Sequence, residues 1–290
     1  MLVYINGKFV PEEEAGISVF DSGFLYGDGI FEGIRAYNGR IFRLEEHIDR
    51  FYDCARAISL TLRETKEEMC KIVADTCAKN DMGDAYIRLV ASRGCGGMGL
   101  NPAAKKNPTI VCIACQISLY PEEDVKKGIG VIVAATRRNY GEVLAPQVKS
   151  LNYLPNIMAS LEAHNAGAVE AVCMSREGYV AECTGDNIFV VKNGVLKTPH
   201  PGIGILLGIT RKAVMEIARD MGIEVQETFM NRFDLYTADE MFVTGTAAEV
   251  VPVSRIDGRQ VGYGKIGPIA GEIRQKYIQM VQTEGYPIKR

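Results

Sequence analysis

The chain has 290 residues, of which 47% are hydrophobic and 24% are charged, and its formal net charge is -3. This length and apolar content suffice for a buried core in one large domain or two of ordinary size. The charge is close to neutral, with no basic patch or acidic tail. This argues against nucleic acid and anionic membrane surfaces as main partners.

No apolar run approaches the ~18 residues that a membrane-spanning helix needs. The first residues, MLVYINGKFV, lack the basic segment and apolar stretch that are typical of a signal peptide. We therefore expect a cytoplasmic protein without membrane contact, in which the eight cysteines are reduced. Cys112 and Cys115 form a CxxC in the strand-like run TIVCIACQI, and their odd spacing places the two thiols on opposite faces. Since the chain has only three histidines, we expect no metal centre.

Asn-Gly and Asp-Gly pairs divide strand-like runs along the chain. They stand at residues 6–7, 38–39, 193–194 and 257–258, and such pairs supply the positive φ angles of tight hairpins. Helical periodicity predicts helices over about 44–60, 152–166 and 266–282, and a further helix that starts at Thr210. Thr65 and Glu68 form a capping box that opens a helix ending near Lys79. The sequence thus predicts an α+β protein with largely antiparallel sheets.

A polar stretch, YPEEDVKK at 120–127, follows one strand-like run and precedes the apolar run GIGVIVAA. Such a change of composition is typical of a boundary between domains. We therefore predict two α+β domains: a small N-terminal domain over residues 1–119, a linker over 120–128, and a larger C-terminal domain over 129–290.

Two glycine-rich runs, GDGIFEG and GIGILLG, do not match the G-x-G-x-x-G of nucleotide loops, and no Walker A lysine is present. Two other segments suit an anion better. Gly208-Ile209-Thr210 opens a helix, whose free N–H groups and partial positive charge attract phosphate. Gly245-Thr246-Ala247 follows an apolar strand and can form a second nest of N–H groups. Both patterns are also common in ordinary helix caps and turns.

Lys149 and Glu182 are candidates for covalent and electrostatic chemistry. Lys149 lies in APQVKSLNYLPN, between a predicted strand and a predicted helix. A lysine that forms a Schiff base needs partial desolvation, which Val148 and Leu151 permit, although a solvated loop lysine fits the same pattern. Glu182 lies in the apolar run GYVAECTGDNIFVV, so it needs a cationic partner or a sheet edge that faces water.

Two strands carry candidates for binding a carboxylate. The run AYIRLVAS places Tyr86 and Arg88 on one face, and IFEGIR does the same for Phe31, Gly33 and Arg35. A buried arginine beside a tyrosine is suited to binding a carboxylate, and a surface salt bridge is the alternative. The residue pattern leaves both interpretations open.

In chain order, these segments resemble the class IV (fold type IV) pyridoxal-phosphate aminotransferases, most of all the branched-chain amino acid aminotransferases. The resemblance extends over nearly the whole chain and rests on FLYGDGIFEGIRAY, FRLEEHIDRF, AYIR, GMGLNP, VKSLNYL, GYVAECTGDNIFVVKNG, GITR and LYTADEMFVTGTAAEVVPV. It implies a two-domain α+β fold like that of D-amino acid aminotransferase, with a barrel-like larger domain. It also implies pyridoxal 5'-phosphate as cofactor, and transamination in branched-chain amino acid biosynthesis. L-leucine, L-isoleucine or L-valine would react with 2-oxoglutarate to give a branched 2-oxo acid and L-glutamate.

The resemblance assigns the cofactor contacts residue by residue. Lys149 would carry the cofactor as a Schiff base and move the proton between Cα and C4′. Glu182 would keep the pyridine nitrogen protonated, and Tyr153 would bind the phenolic oxygen. The phosphate would be bound by Arg50, Ile209, Thr210 and Thr246.

The substrate contacts are implied in the same way. The α-carboxylate would meet Tyr86 and the backbone N–H groups of Thr246 and Ala247, and Arg88 would neutralise the distal carboxylate of glutamate. The side-chain pocket would be shaped by Tyr26, Phe31, Gly33 and Tyr120. The resemblance further implies a homo-oligomer, a dimer or a larger assembly such as a hexamer. In it, Tyr26 and the loop around Met98 would reach the neighbouring subunit.

The chain departs from the family pattern at Cys183, where a small Gly or Ser commonly follows the glutamate, and this puts the local geometry in doubt. Other activities of the same fold stay open as alternatives. D-amino acid aminotransferases usually carry an Arg-x-His element after an Arg-Gly pair, whereas CGGMGLNP follows Arg93-Gly94 here. Aminodeoxychorismate lyase is disfavoured by FEGIR, and an (R)-amine transaminase is a third alternative. A catalytically silent scaffold is disfavoured because the complete set Lys149, Glu182, Arg50 and Thr246 is present.

Overall fold

The structure, a computed structural model, describes residues 1–117, 120–138 and 143–289. The chain folds as two compact units. The first consists of Met1–Ile117, Val148–Asn152 and Val281–Arg290, and the second of Ser118–Gln147 and Tyr153–Met280. Neither unit is one continuous stretch of sequence.

The first unit has a seven-stranded sheet in which every neighbouring pair is antiparallel, in the order β16-β4-β3-β5-β6-β1-β2. Its strands are β1 Leu2–Ile5, β2 Lys8–Pro11, β3 Gly29–Tyr37, β4 Arg40–Ile41, β5 Ala85–Ser92, β6 Thr109–Cys115 and β16 Tyr286–Pro287. Its helices are α1 Ser22–Tyr26, α2 Leu44–Ala57 and α3 Lys66–Lys79. The buried faces of α2 and α3 and one face of the sheet form a continuous apolar core.

Local sequence signals account for much of this unit. Asn6 and Gly7 both have positive φ angles, 48° and 90°, in the turn between β1 and β2, as type I′ hairpins require. The Thr65 hydroxyl accepts a hydrogen bond from Glu68 N–H, and the Glu68 carboxylate accepts one from Thr65 N–H, so the predicted capping box is confirmed. Cys112 is buried on one face of β6, whereas Cys115 is half-buried on the other.

The second unit has a nine-stranded mixed sheet, ordered β12-β11-β10-β13-β14-β7-β8-β9 with β15 also paired to β14. Its strands are β7 Ile129–Val133, β8 Glu170–Met174, β9 Val180–Cys183, β10 Asn187–Lys192, β11 Val195–Pro199, β12 Val225–Thr228, β13 Glu240–Gly245, β14 Glu249–Ile256 and β15 Arg259–Gln260. Its helices are α4 Glu122–Lys127, α5 Leu154–Asn165, α6 Ile209–Asp220, α7 Arg232–Tyr236 and α8 Pro268–Thr283, the last of which ends within the first unit. Parallel pairing joins β11 with β12, β14 with β7, and β7 with β8.

The expected domain ranges differ from this grouping. The expected boundary at residue 119 lies outside the described residues. The expected linker, 120–128, contains α4, and the Tyr120 hydroxyl donates to Asp186 Oδ2 at 3.0 Å, so this segment belongs to the second unit. Residues 129–290 do not form one unit, because Val148–Asn152 and Val281–Arg290 pack with the first.

The segment Val148–Asn152 lies beside the start of β3. Lys149 C=O accepts a hydrogen bond from Phe31 N–H, and Leu151 N–H donates to Gly29 C=O, both at 2.9 Å. These long-range backbone bonds attach the segment to the first sheet, an arrangement that no local pattern encodes. Over the described part of the chain, no helix is both long and apolar enough to span a bilayer.

Candidate active site

Lys149 lies against an aromatic face in the first unit. Its Nζ is 4.7 Å from the centre of the Phe31 ring, a distance at which the ring face attracts a cation. Its backbone N–H donates to Cys54 Sγ at 3.3 Å, and its carbonyl accepts from Phe31 N–H. The side chain is half-buried. The backbone of this lysine is therefore fixed on both sides, and its environment is not that of a solvated loop.

Tyr86 and Arg88 form one polar group with Phe31. Arg88 Nη2 donates to Tyr86 Oη at 2.7 Å, and its guanidinium carbon lies 4.5 Å from the centre of the Phe31 ring. Burial raises the pKa of Tyr86 although Arg88 acts in the opposite direction, so the phenol is neutral and can donate a hydrogen bond. The cation of Arg88 and the apolar ring of Phe31 thus lie side by side.

Gly33 makes room for this arrangement. A Cβ built at Gly33 would lie 2.5 Å from Tyr86 Oη, so a side chain at this position would require the Tyr86 ring to move. β3 and β5 pair with Gly33 opposite Arg88, so the Tyr86 ring crosses over the backbone of β3 at this position. The absence of a side chain at Gly33 is what allows Tyr86 and Phe31 to share one surface.

Arg50 is bound to a buried acid. Its Nε and Nη2 donate to the two carboxylate oxygens of Glu32, each at 2.8 Å, and His47 Nδ1 lies 2.8 Å from Glu32 Oε2. Burial opposes the ionisation of Glu32. The charge of Arg50 and the hydrogen bonds from His47 and Arg50 outweigh it and lower the pKa to about 2. Burial lowers the pKa of His47 against the pull of Glu32, so the imidazole is neutral and donates through Nδ1.

Tyr26 makes its own set of contacts in the first unit. It ends α1, is exposed, and donates its hydroxyl hydrogen bond to Met98 C=O. Lys105 Nζ lies 5.7 Å from the centre of its ring. The structure thus joins Tyr26 to the loop around Met98. That both reach a neighbouring subunit stays a prediction.

Glu182 is the buried acid of the second unit. It lies on β9 with 4% exposure, and Arg138 Nη2 lies 2.5 Å from its Oε1. Its Oε2 accepts hydrogen bonds from Leu206 N–H at 2.9 Å and from Asn187 Nδ2 at 3.2 Å. The cationic partner that the sequence required for Glu182 is therefore present within the chain.

Arg138 was not found from the sequence. It follows β7 in the run AATRR, and its Nη1 also donates to Asn156 Oδ1 at 3.1 Å. A pair of arginines directly after an apolar strand is the signal that could have pointed to it, because an arginine at the end of a buried strand needs an anion.

Helix α6 begins as the sequence predicts. Gly208 is its N-cap and offers no side chain to the first N–H groups, and Thr210 in its first turn is buried. A Cβ at Gly208 would lie 2.1 Å from Asn187 Oδ1, so only glycine lets the helix start this close to β10. Asn187 thereby joins the start of α6 to Glu182, which it also contacts.

The turn between β13 and β14 approaches the same strand. Thr246 and Ala247 lie in this turn, and a Cβ at Gly245 would lie 2.0 Å from Asp186 Oδ1. Asp186 also accepts the hydrogen bond from Tyr120, whose pKa burial raises, with Asp186 and Glu170 adding to the shift. Among the described residues, the buried Thr244 hydroxyl beside this turn has no hydrogen-bond partner.

The expected site residues therefore form two groups, each within one unit. The first unit brings together Lys149, Phe31, Gly33, Tyr86 and Arg88. Arg50 binds Glu32, which lies between Phe31 and Gly33 on β3. In the second unit, Asp186 and Asn187 connect Glu182 and Tyr120 to the start of α6 and to the turn at 245–248. Tyr153 is the N-cap of α5, half-buried, one turn before Asn156.

The family model described as amino-transferase class IV matches residues 29–256 of the chain. The chain is a class IV aminotransferase. The matched range contains Lys149 and Glu182, together with the whole of β3 and of β14.

Relatives of this class IV aminotransferase cover nearly its whole length. A Methanocaldococcus jannaschii protein, provisionally named a branched-chain-amino-acid aminotransferase, is 51% identical over 277 residues, which are 96% of this chain and 95% of that protein. The solved branched-chain amino acid aminotransferase of Escherichia coli has a TM-score of 0.95 at 35% identity, covering 98% of this chain and 96% of that one. A solved T.th. branched-chain amino acid aminotransferase, complexed with N-(5'-phosphopyridoxyl)-L-glutamate, has a TM-score of 0.92 at 40% identity, covering 97% and 94%.

These likenesses confirm the predicted α+β, fold type IV structure and place this class IV aminotransferase with the branched-chain group. Cys183, the departure from the family pattern, is buried, and burial raises the pKa of its thiol well above the ordinary value. Its backbone N–H donates to Asp186 C=O at 2.7 Å. The neutral thiol thus occupies core volume, and the backbone hydrogen bond closes the bend between β9 and β10.

Proposed function

We propose that this class IV aminotransferase transfers the amino group of L-leucine, L-isoleucine and L-valine to 2-oxoglutarate, giving branched 2-oxo acids and L-glutamate. The proposed cofactor is pyridoxal 5'-phosphate. The observation that carries the proposal is the likeness, over nearly the whole chain, to solved branched-chain enzymes. The residues described above supply physical support for it.

The donor set of the second unit fits this cofactor. A phosphate is suited to the start of α6, where the N-cap glycine has no side chain to occupy the first N–H groups and Thr210 is buried. Thr246 is suited to donate further hydrogen bonds to the phosphate. It follows Gly245, whose backbone lies close to Asp186, and the buried hydroxyl of Thr244 lies beside the same turn. Glu182 is an acceptor for a protonated ring nitrogen. Arg138 and Leu206 N–H hold its carboxylate in place. We assign Arg50, Ile209, Thr210 and Thr246 to the phosphate, and Tyr153 to the phenolic oxygen.

Lys149 is the proposed catalytic residue. Pyridoxal phosphate, when bound, supplies an electron sink that stabilises negative charge at the substrate Cα. The amine of Lys149 would hold the cofactor and would move the proton between the substrate Cα and C4′. The Phe31 ring beside Nζ keeps water from one side of this amine. The mechanism needs no histidine, which agrees with the engagement of His47 by Glu32.

Most of the proposed substrate contacts belong to the first unit. The neutral Tyr86 hydroxyl and the backbone N–H groups of Thr246 and Ala247 would bind the α-carboxylate. Arg88 would bind the distal carboxylate of glutamate, while Phe31 offers apolar surface to a branched side chain. Because cation and ring are adjacent, one surface serves an acidic and an aliphatic substrate in turn. The pocket is completed by Tyr26, Gly33 and Tyr120.

We further propose that the protein is cytoplasmic and works as a homo-oligomer, at least a dimer and up to a hexamer. Large apolar side chains are exposed in the first unit near Tyr26: Val19, Phe20, Phe24, Met98 and Leu100. An apolar surface of this kind is typical of a protein interface. A second copy covering it would bring the loop around Met98 to the neighbouring subunit.

A substrate panel tests the proposed reaction. Purified protein is incubated with 2-oxoglutarate and, separately, L-leucine, L-isoleucine, L-valine and D-alanine, and glutamate is measured. We expect glutamate from all three branched L-amino acids and little from D-alanine. Preference among the three should not exceed about 200-fold, because a methylene in an apolar pocket contributes only about 1–3 kcal/mol. Activity confined to D-alanine would overturn the proposal in favour of a D-amino acid aminotransferase.

A further inference from the structure

Alternate residues of β3 face in opposite directions. Phe31 and Gly33 belong to the surface shared with Tyr86, and Glu32 between them points to the other side of the sheet, where α2 packs. There its side chain is 0% exposed. A fully buried carboxylate is costly unless it is paired, and the proposed reaction does not use it.

The partners of Glu32 both come from α2. His47 and Arg50 are three residues apart, on one face of the helix, and their three hydrogen bonds to Glu32 are each 2.8 Å long. Glu32 thus holds two of the three guanidinium nitrogens, while His47 contacts one of the two carboxylate oxygens. The side chain of Arg50 keeps 14% of its surface exposed, whereas those of Glu32 and His47 keep 0% and 1%.

We propose that Glu32 and His47 are positioning residues that fix the Arg50 guanidinium for the cofactor phosphate, an inference that rests on the proposed function. An arginine held in place before the phosphate arrives loses little side-chain freedom on binding, and this raises affinity. A phosphate then meets only those N–H groups of Arg50 that Glu32 does not use. Neither Glu32 nor His47 touches the cofactor in this assignment.

Charge and orientation act in opposite directions at this position. Removing the negative charge of Glu32 leaves the positive charge of Arg50 without the compensation that Glu32 provides. By Coulomb attraction alone, a phosphate would then bind more tightly. Removing it also frees the guanidinium to rotate, which weakens binding. A positioning role requires the loss of orientation to exceed the gain in Coulomb attraction. The phosphate affinity therefore falls if positioning dominates and rises if charge dominates.

The test compares two probes on the full-length protein. Cofactor-free protein is titrated with pyridoxal phosphate and with pyridoxal, which lacks the phosphate, and the ratio of the two dissociation constants gives the phosphate preference. We expect Glu32→Gln to reduce this preference by about tenfold or more, with the dissociation constant for pyridoxal changed by no more than about twofold. We expect His47→Leu to reduce it by a smaller factor, and His47→Asn, which keeps a donor, to recover part of the loss.

A matched control and a double variant separate positioning from general damage. Asp28 and Arg93 form another bidentate pair in the first unit, with contacts of 2.6 and 2.9 Å, so Asp28→Asn should leave the phosphate preference unchanged. Because Glu32 is inferred to act through Arg50, Glu32→Gln should add nothing to the loss already caused by Arg50→Met. If Glu32→Gln does not fold, Glu32→Asp keeps the charge but is one methylene too short to hold both nitrogens, and it should reduce the preference by a smaller factor.

An unchanged or increased phosphate preference in the Glu32 variants would overturn the inference, as would equal losses for the two probes or additive losses with Arg50→Met. These outcomes would leave the proposed function standing. Wild-type protein that binds neither probe would instead overturn the proposed function, and the inference with it. A phosphate preference that Arg50→Met leaves at the wild-type level would show that Arg50 is not a phosphate contact, and would overturn the inference alone.

Discussion

Arg138 Nη2 lies 2.5 Å from Glu182 Oε1, and both side chains are about nine-tenths buried. Their charges compensate each other within the second unit, while Leu206 N–H and Asn187 Nδ2 donate hydrogen bonds to the other carboxylate oxygen of Glu182. These contacts come from the chain itself, so the proposed acceptor for the ring nitrogen is in position before the cofactor binds.

Removal of Arg138 should therefore lower both the stability of the protein and the rate of the reaction. In Arg138→Met, Glu182 keeps two neutral donors but loses its counter-charge, and we expect the free energy of unfolding to fall by about 3–5 kcal/mol. We also expect Glu182, without this partner, to be held less firmly for the ring nitrogen, which lowers kcat. Urea unfolding and steady-state kinetics measure the two effects. Arg137→Met is the matched control, since Arg137 is the exposed neighbour, and equal effects in the two variants would contradict this account.

Gly33→Ala should move Tyr86. The added Cβ would lie 2.5 Å from Tyr86 Oη, so the ring must rotate away from β3 and the proposed α-carboxylate contact is lost. We expect KM for L-leucine to rise about tenfold, which corresponds to the loss of one good hydrogen bond to a charged group, while the chain still folds. Steady-state kinetics check this. Gly16→Ala, where a Cβ meets nothing within 4 Å, should keep the wild-type KM, and a wild-type KM in Gly33→Ala would show that Tyr86 does not bind substrate.

Lys149→Ala should abolish turnover. Loss of the amine that attaches the cofactor and moves the proton should lower kcat by about 10³-fold or more. The purified wild-type protein should be yellow, and borohydride should abolish its visible band. The variant should lack the yellow colour and should show no band that borohydride abolishes. Lys8, an exposed lysine of β2, provides the control Lys8→Ala. Normal turnover in Lys149→Ala would make the central assignment wrong.

Sequence alone predicted those features that short stretches of chain encode. The turn at Asn193 and Gly194, with φ angles of 52° and 78°, needs two adjacent residues that tolerate the left-handed region. The start of α6 after Gly208 and the helix after Thr65 are local in the same sense, because caps and periodicity act over a few residues.

Pairs that are distant in sequence were not predicted. Arg138 and Glu182 are separated by a helix and a strand, and their contact depends on how β7, β8 and β9 align. Glu32 and Arg50 meet because α2 packs on β3, although both residues lie within recognised motifs. The motif resemblance supplied Lys149 and Glu182, but it assigned no role to the residues that hold Glu182 and Arg50 in place. Those residues follow only from the packed structure.

The buried acid Glu32 should make stability depend on pH in a defined window. Its pKa in the folded protein is lowered from 4.5 to about 2, because the charge of Arg50 and the hydrogen bonds from His47 and Arg50 outweigh the cost of burial. A lowered pKa means that the unfolded chain takes up a proton more readily than the folded one. The contribution of Glu32 is therefore fully present above about pH 4.5 and is lost progressively as the pH falls towards 2.

The change in pKa corresponds to a contribution on the order of 3 kcal/mol over this window. Urea unfolding of the wild type and of Glu32→Gln between about pH 3 and 6 measures it, because the other carboxylates titrate alike in both proteins and cancel in the difference. We expect the stability gap between the two to be largest near pH 6 and to narrow towards pH 3. A gap that stays constant over this range would show that the pKa of Glu32 is the same in the folded and unfolded protein, because only a pKa that differs between the two states links this contribution to proton uptake.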